Sequence, residues 1–269
     1  MIEFQNISKA YDDGTLALQN VNFNVPKGEF CVLLGHSGAG KSTLLNLVSG
    51  LTFATSGNVQ IDGKVLTERS LKSLRKNVSM IHQNFNLALR SSVATNVMSG
   101  ALSEVPFLQA ITGWFPKSIR NKCCDLVAMV GLEQEHLHRR AYTLSGGQQQ
   151  RVGIARSLIL DPLIILADEP IASLDPTISR ETLSILRNLA KIKGCTVLCS
   201  LHQVELAKDY ADRIIGIEEG QVVFDLLPSE VDQQTLNLIY KNYDDPRGNE
   251  VWDQAKIKNV VKSLGHNKW

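Results

Sequence analysis

Hydrophobic and polar residues alternate through IEFQNI at the start of the chain and again through VNFNV, the period of two that a half-buried strand requires. FCVLL, from Phe30 to Leu34, has no such alternation and predicts a strand covered on both faces. Similar apolar runs recur at VSMI (Val78 to Ile81), LIILA (Leu163 to Ala167), TVLCSL (Thr196 to Leu201) and RIIGI (Arg213 to Ile217), and several intervals between them carry helical spacing. Strands taking turns with helices predict an α/β fold with a parallel core, preceded by an antiparallel β-region. EEGQVVF, Glu218 to Phe224, adds a Gly-containing turn and an edge strand that should fold back on RIIGI as a hairpin.

Strand signals thin out between about Phe85 and Ser157. That stretch holds SSVATNVMSG, a Trp-Phe-Pro loop at Trp114 to Pro116, and KCCDLVAMVGL, whose Leu126, Val127 and Val130 have helical spacing. It predicts a mainly helical insertion, about 85–157. After Val231 the pattern weakens until Ile257, Val260, Val261 and Leu264 stand at i, i+3, i+4 and i+7, which predicts a short amphipathic C-terminal helix. The chain therefore divides into one domain, 1–231, and an extension, 232–269, too small to be expected as a second domain. The extension is expected to pack back on the core or to stay partly ordered; the sharper alternative is a regulatory or dimer contact made by those four apolar residues.

Composition narrows this picture modestly. With 269 residues, 43% hydrophobic and 20% charged, the chain can bury a substantial core. A formal charge of +1 offers no case for a nucleic-acid partner. No apolar run approaches the roughly 18 residues of a spanning helix, and MIEFQNISKAY lacks the basic head and apolar segment of a secretory signal. A cytosolic protein is expected, with any membrane role indirect. Cys31, Cys123, Cys124, Cys195 and Cys199 make an odd count without a CxxC pair, so they are expected as small buried hydrophobes rather than a disulfide or zinc framework.

Candidate chemistry begins at GHSGAGKS, which fits G-x-x-x-x-G-K-[ST] and sits between the FCVLL strand and the helical LLNLVSG. In the loop Gly35, His36, Ser37, Gly38, Ala39, Gly40, Lys41, Ser42 and Thr43, the glycines let backbone N–H groups turn towards phosphate. Lys41 brings a point charge to the β- and γ-phosphates, and the Ser42 hydroxyl suits Mg²⁺. Downstream, the apolar strand of LIILADEP leaves Asp168 at its C-terminal end, where an open α/β sheet binds ligands. Asp168 is placed to hold Mg²⁺ and Glu169 to activate the attacking water. The plainer role for Glu169, a first-turn acid on a helix dipole, fits poorly with Pro170, which is expected to keep the preceding residue extended. These two motifs alone establish only a nucleotide-hydrolysing or phosphoryl-transfer site.

LSGGQQQR, Leu144 to Arg151, is a second Ser-Gly-Gly turn opening a helix, a feature suited to holding an anion. The helix VGIARSLIL lies between it and the acidic strand. If that helix packs beside the strand, the turn sits on the helical lobe away from the chain's own Lys41, an arrangement that invites a partner.

GHSGAGKST, LSGGQQQR and LIILADEP, followed by ASLDP and His202 and with Gln83 in its expected place, closely resemble the ATP-binding subunits of ABC transporters. The resemblance runs from Met1 to about Val231. It implies a P-loop NTPase fold with a RecA-like parallel core, an N-terminal antiparallel β-subdomain and a helical subdomain, with ATP and Mg²⁺ as ligands. It implies a head-to-tail dimer in which Ser145, Gly146 and Gly147, aimed by the helix that Gln148 begins, complete the γ-phosphate site of a second copy. By the same resemblance Tyr11 stacks on adenine, Gln83 touches Mg²⁺ and the attacking water, Asp175 couples the two sites, and His202 contacts the γ-phosphate. Without the resemblance, Tyr11 reads as a strand-end tyrosine and Asp175 as a helix cap. His36, His82, His136, His138 and His266 form no evident metal constellation, so Mg²⁺ is the one metal implied.

Within that family the chain is most similar to the ATP-binding subunit of phosphonate importers, through MIHQNFNLALRSSVATNVMSG, the GWFPKS loop, ADEPIASLDP and LHQVELAKDYADRIIGIEEGQVVFDLLPSEV. His82, where an aromatic residue is usual, and the long tail depart from it. The likeness implies two membrane permease subunits as partners, an external solute-binding protein acting indirectly, and a peripheral position on the cytoplasmic face of the membrane. An importer of phosphite, an amino acid or another small solute is the alternative. A soluble ABC ATPase acting on ribosomes or DNA would typically carry two cassettes or a coiled-coil insertion, and this sequence has neither.

Overall fold

The computed structural model describes residues 1–240 apart from Ser173. The alternating N-terminal segments form β1 (Ile2–Ala10) and β2 (Leu16–Val25), paired antiparallel with Phe4 opposite Phe23. Their rings stack with centroids 4.3 Å apart. FCVLL becomes β3 (Phe30–Leu34), buried at every position as its unbroken apolar run requires. The glycine loop follows, then α1 (Lys41–Ser49).

The next hairpin, β4 (Ser56–Ile61) and β5 (Lys64–Val65), was not expected from the apolar pattern. Its signal was the Asp62-Gly63 turn, both residues at positive φ, a favoured geometry for joining two antiparallel strands. β4 pairs with the free side of β1, giving a four-stranded sheet in the order β2-β1-β4-β5. α2 (Glu68–Leu74) and β6 (Val78–Ile81) come next.

Between β6 and the following strand the chain is helical: α3 (Val93–Ser99), α4 (Phe107–Thr112), α5 (Lys117–Met129) and α6 (Gly146–Ser157). The Ser92–Arg140 bridge is the isolated β-contact here among the described residues. α6 stops at Ser157 rather than running through the apolar SLIL that the pattern suggested, because Leu158 to Leu160 turn towards the strand. Then come β7 (Ile164–Asp168), α7 (Pro176–Lys193), β8 (Thr196–Leu201), α8 (Val204–Tyr210), β9 (Arg213–Glu218), β10 (Gln221–Leu226) and α9 (Gln233–Leu236). β10 folds back on β9 across Glu219 and Gly220, both at positive φ, as the Gly-containing turn anticipated.

The second sheet has the order β10-β9-β3-β8-β7-β6, parallel except for the β9–β10 hairpin. Alternation along β3 sorts its side chains onto two cores. Phe30, Val32 and Leu34 face the cluster that includes Val152, Leu183, Leu186 and Val204 from α6, α7 and α8. Cys31 and Leu33 join the cluster built from α1 and the antiparallel sheet. Each such large apolar side chain, fully removed from water, contributes about 1.5–3 kcal/mol before entropy is charged against it. Packing on both faces leaves only the sheet edges and the strand ends for chemistry.

Four cysteines are buried as expected, whereas Cys124 is exposed. It neighbours Cys123 on α5, and consecutive helical residues point about 100° apart, so only Cys123 reaches the core. Beyond Val231 the chain continues onto the body: Leu236 and Ile239 are 2% and 1% exposed and belong to the helix-side cluster. The predicted helix around Ile257, Val260, Val261 and Leu264 lies outside the described residues, as does His266. No helix among the described residues is long and apolar enough to cross a membrane.

Candidate functional site

Parallel register brings the candidate residues together. β3 and β8 align Leu34 with Leu201, and β7 and β8 align Asp168 with Ser200. The glycine loop, the acidic pair and His202 therefore all leave the C-terminal ends of neighbouring strands. Gly35 passes so close to β9 that a Cβ there would lie 2.2 Å from the Ile217 carbonyl oxygen, which explains the glycine by contact rather than by turn type. Gly40, at φ 108, turns the loop into α1.

Lys41 is 4% exposed, and its Nζ donates to the carbonyls of Gly35 and His36, each at 2.8 Å. Burial lowers its pKa, and the negative charges of Glu169 and Asp168 pull the other way. Thr43 Oγ1 lies 3.4 Å from the Tyr11 hydroxyl, so the end of the loop and the residue after β1 are neighbours. Lys9 Nζ stands 5.1 Å from the centre of the Tyr11 ring, within cation–π range.

Asp168 is the hub of the acidic side. Its Oδ1 accepts from Ser42 Oγ at 2.9 Å and from Ser200 Oγ at 2.8 Å. Ser200 Oγ in turn accepts the backbone N–H of Glu169 at 2.9 Å. Glu169 does not adopt the extended backbone that the following Pro170 suggested. It sits at φ 47, in the left-handed region, where a residue with a Cβ is uncommon and persists only when its surroundings hold it. Here Ser200 holds its amide, and its Oε1 is hydrogen-bonded to His202 Nε2. The other imidazole nitrogen, Nδ1, lies 3.1 Å from the Gly35 carbonyl oxygen.

Ser145 caps α6, accepting the Gln148 N–H at 3.3 Å, while Gln148 Oε1 accepts the Ser145 N–H at 3.0 Å. This reciprocal capping box explains why Ser and Gln stand three residues apart. Ser145 and Gly146 are exposed, at the tip of a helix whose body packs on α3, α5 and β6. Gly147 lies against α7, where a Cβ would approach Ile178 Cγ2 to 2.8 Å. Gln150, fully buried, donates to the Pro170 carbonyl and accepts from Thr182 Oγ1 at 3.0 Å. It ties α6 to the residue after Glu169. Asp175 is the N-cap of α7, accepting the Ile178 N–H at 3.0 Å with Pro176 following it.

Gln83 is exposed in the loop beyond β6, whose Ile81 pairs with Ala167, one residue before Asp168. Phe85 and Asn86 both have left-handed backbones, φ 53 and 45. Arg156 of α6 donates to both of their carbonyls, at 2.7 Å to Asn86, and so fixes this turn from the opposite element. Burial, then the charge of Arg156, lowers the pKa of His82.

Motif reading did not single out Ser200, Gln150 or Arg156. Ser200 had a faint signal, a hydroxyl in an otherwise apolar strand two residues before His202. Gln150 lies within LSGGQQQR but only as part of the helix start, and Arg156 carried no signal, because a polar residue on a half-buried helix normally faces water. Glu133, Glu135 and His136 group closely enough to ligate a metal. His136, however, accepts the Glu133 N–H at Nδ1 and faces Gln148 Nε2 through Nε2, so both ring nitrogens serve the capping region of α6.

The donor set around Asp168 suits Mg²⁺. Two hard oxygens of the kind that ion takes, the Ser42 hydroxyl and the Asp168 carboxylate, already meet at hydrogen-bond distance beside the glycine loop.

A family model described as ABC transporter matches residues 18–172. The phosphonates import ATP-binding protein PhnC of Hydrogenovibrio crunogenus is 47% identical over 241 residues, covering 90% of this chain and 89% of that protein. The protein of the same name from Lactobacillus johnsonii is 44% identical over 253 residues, covering 93% and 99%. Among solved structures, the dimeric post-hydrolysis state of the ATP-binding cassette MJ0796 bound to ADP and Pi superposes with a TM-score of 0.73 at 33% identity. That match covers 85% of this chain and 99% of the other.

Proposed function

We infer the function from one premise: the chain belongs to the ABC transporter family, as an ATP-binding subunit, and it hydrolyses ATP. We propose that two copies close head to tail around two ATP molecules and drive uptake of a phosphonate through two permease subunits. An external binding protein would deliver the solute. The single observation carrying the hydrolytic reading is the convergence of Lys41, Ser42, Asp168, Glu169 and His202 on one end of the parallel sheet through the bonds at Asp168 and Glu169. Near 47% identity to a phosphonate importer subunit, sustained over 90% of the chain, supports the choice of solute.

In this reading Tyr11 stacks on the adenine, and the loop from Gly35 to Thr43 wraps the phosphates with its N–H groups. Lys41 pairs with the β- and γ-phosphates. Ser42, Asp168 and Gln83 hold Mg²⁺, which when bound neutralises phosphate charge. Glu169 takes the proton of the attacking water, and Gln83 orients that water. His202 contacts the γ-phosphate while holding the Glu169 carboxylate in place. Ser145, Gly146 and Gly147 of one copy reach the γ-phosphate held by the other, on the tip left exposed at the start of α6. Asp175, at the neighbouring start of α7, couples the two sites.

The helical subdomain faces the permease in this reading. Phe107, Leu108, Ile111 and Trp114 are 78%, 76%, 67% and 66% exposed, an apolar stripe on and just after α4 that an isolated surface does not favour. Closure, driven by contacts made only with γ-phosphate, would pass from Gln83 through this lobe.

Reconstitution tests the solute. The chain, its permease subunits and the binding protein are placed in vesicles, and ATP hydrolysis is measured with the binding protein loaded in turn with methylphosphonate, phosphite and glutamine. Stimulation by methylphosphonate alone is expected. Stimulation only by phosphite or the amino acid would replace phosphonate with that solute.

A further inference from the structure

The segment after β10 passes against the proposed hydrolytic site at Tyr240. Asp232 caps α9 by accepting the Thr235 N–H at 2.8 Å, and Leu236 and Ile239 plug the helix-side core. The Tyr240 N–H then donates to the Leu236 carbonyl at 2.8 Å, which holds the backbone of the tyrosine. Its hydroxyl donates to the carbonyl oxygen of His202 at 3.3 Å. Its ring meets the His36 ring edge-on, with centroids 4.8 Å apart and planes at 78°. One side chain thus touches both the nucleotide loop and the backbone of the histidine that faces Glu169.

We propose that Tyr240 is a positioning residue for hydrolysis, its hydroxyl holding the His202 backbone so that the imidazole stays aimed between the Gly35 carbonyl and the Glu169 carboxylate. The proposal rests on the reading of His202 as a γ-phosphate contact. His202 follows β8 directly and lies just before α8, so its carbonyl is not a strand-ladder acceptor, and Tyr240 supplies a partner for it. Burial pushes the phenol up to about 12, with a hydrogen bond from the Gly35 backbone acting against that shift. The hydroxyl therefore remains a proton donor across the neutral range. The anchors are separable from the clamp: Leu236 and Ile239 secure the segment in the core, whereas the tyrosine oxygen bonds His202.

Steady-state ATPase of the full-length chain with Mg²⁺ tests this, using Tyr240→Phe, His202→Ala and Leu238→Ala. Leu238 is 54% exposed on the same segment and serves as the neutral control. Tyr240→Phe keeps the ring against His36 and removes only the hydroxyl. Expected is a kcat lower by about three- to ten-fold, the effect of losing the hydroxyl's hydrogen bonds, with KM for ATP and melting temperature unchanged, because a loss that acted through the Gly35 loop would show in KM. A wild-type kcat in Tyr240→Phe, with His202→Ala inactive, overturns the clamp and leaves the site reading intact. A kcat loss matched by a fall in melting temperature overturns it too, in favour of packing. Full activity in His202→Ala overturns the reading of His202 itself, and the clamp with it.

Discussion

Ser42 Oγ donates a 2.9 Å hydrogen bond to Asp168 Oδ1, joining the first turn of α1 to the end of β7 across 126 positions of sequence. The contact exists because β3 and β7 both pair with β8 in parallel register, so their C-terminal ends lie together at one end of the sheet. Two oxygens suited to a hard cation are thereby set side by side, and the residue after Asp168, Glu169, has a left-handed backbone and bonds His202.

Glu169→Gln keeps the shape of the side chain and removes its basicity. ATP binding should stay near wild type while kcat falls by about 10²- to 10⁴-fold, the range for loss of a general base. Filter binding of ATP and steady-state hydrolysis read the two effects separately. Turnover close to wild type would reject Glu169 as the base.

Sharing of sites between copies is tested by mixing. Lys41→Ala and Ser145→Ala should each silence hydrolysis alone. In a mixed dimer, one of the two sites combines an intact loop from one copy with an intact Ser145 from the other. ATPase should therefore reappear on mixing the two inactive chains; its failure to do so counts against the head-to-tail arrangement.

Arg156 fixes two left-handed residues from the opposite element through a forked pair of donors. Arg156→Ala should loosen the turn after Gln83, seen as faster amide exchange in residues 83–88, and should lower ATPase. Lysine should restore little, because a single ammonium cannot reproduce the planar fork. Unchanged exchange in the alanine variant would show that the turn holds itself.

Acid should expose the Asp212 pair. Burial acts to raise the Asp212 pKa, but the hydrogen bonds from Arg187 and the Phe30 N–H and the charges of Arg187 and Lys191 outweigh it, leaving the pKa lowered from 3.8. A carboxylate whose folded pKa is depressed contributes stability that is present above its unfolded pKa and is lost as pH falls through the folded one. Thermal melts between about pH 2 and 7 should show the wild type losing this contribution below 3.8, with Asp212→Asn less stable at neutral pH and less sensitive to acid. Equal acid slopes for the two proteins would remove Asp212 as a source.

Much of the fold was legible. VSMI, FCVLL and TVLCSL became strands with the predicted limits, because long apolar runs bounded by polar residues leave few alternatives in an alternating chain. β4 and β5 were less visible, since their outer positions are exposed and only an Asp-Gly turn marks them. Cys124 escaped the pattern for a similar reason: apolar character says a residue can be buried, and only the helix phase says whether it is. Among candidate site residues, spacing identified the glycine loop and the acidic pair, but not Ser200, whose importance lies in bonding Asp168 and the Glu169 amide at once.

By itself the sequence determined which residues could do the chemistry: a glycine-lysine-serine loop, a carboxylate pair after an apolar strand and a capped Ser-Gly-Gly turn are written into local order and need only local geometry. The tertiary structure decided which of them meet. Parallel pairing of strands distant in sequence put Ser42 against Asp168, a strained backbone at Glu169 turned its carboxylate to the His202 imidazole, and the stretch after β10 brought Tyr240 to the His202 backbone carbonyl. Such contacts depend on register and packing across the whole sheet, a physical property no local pattern carries.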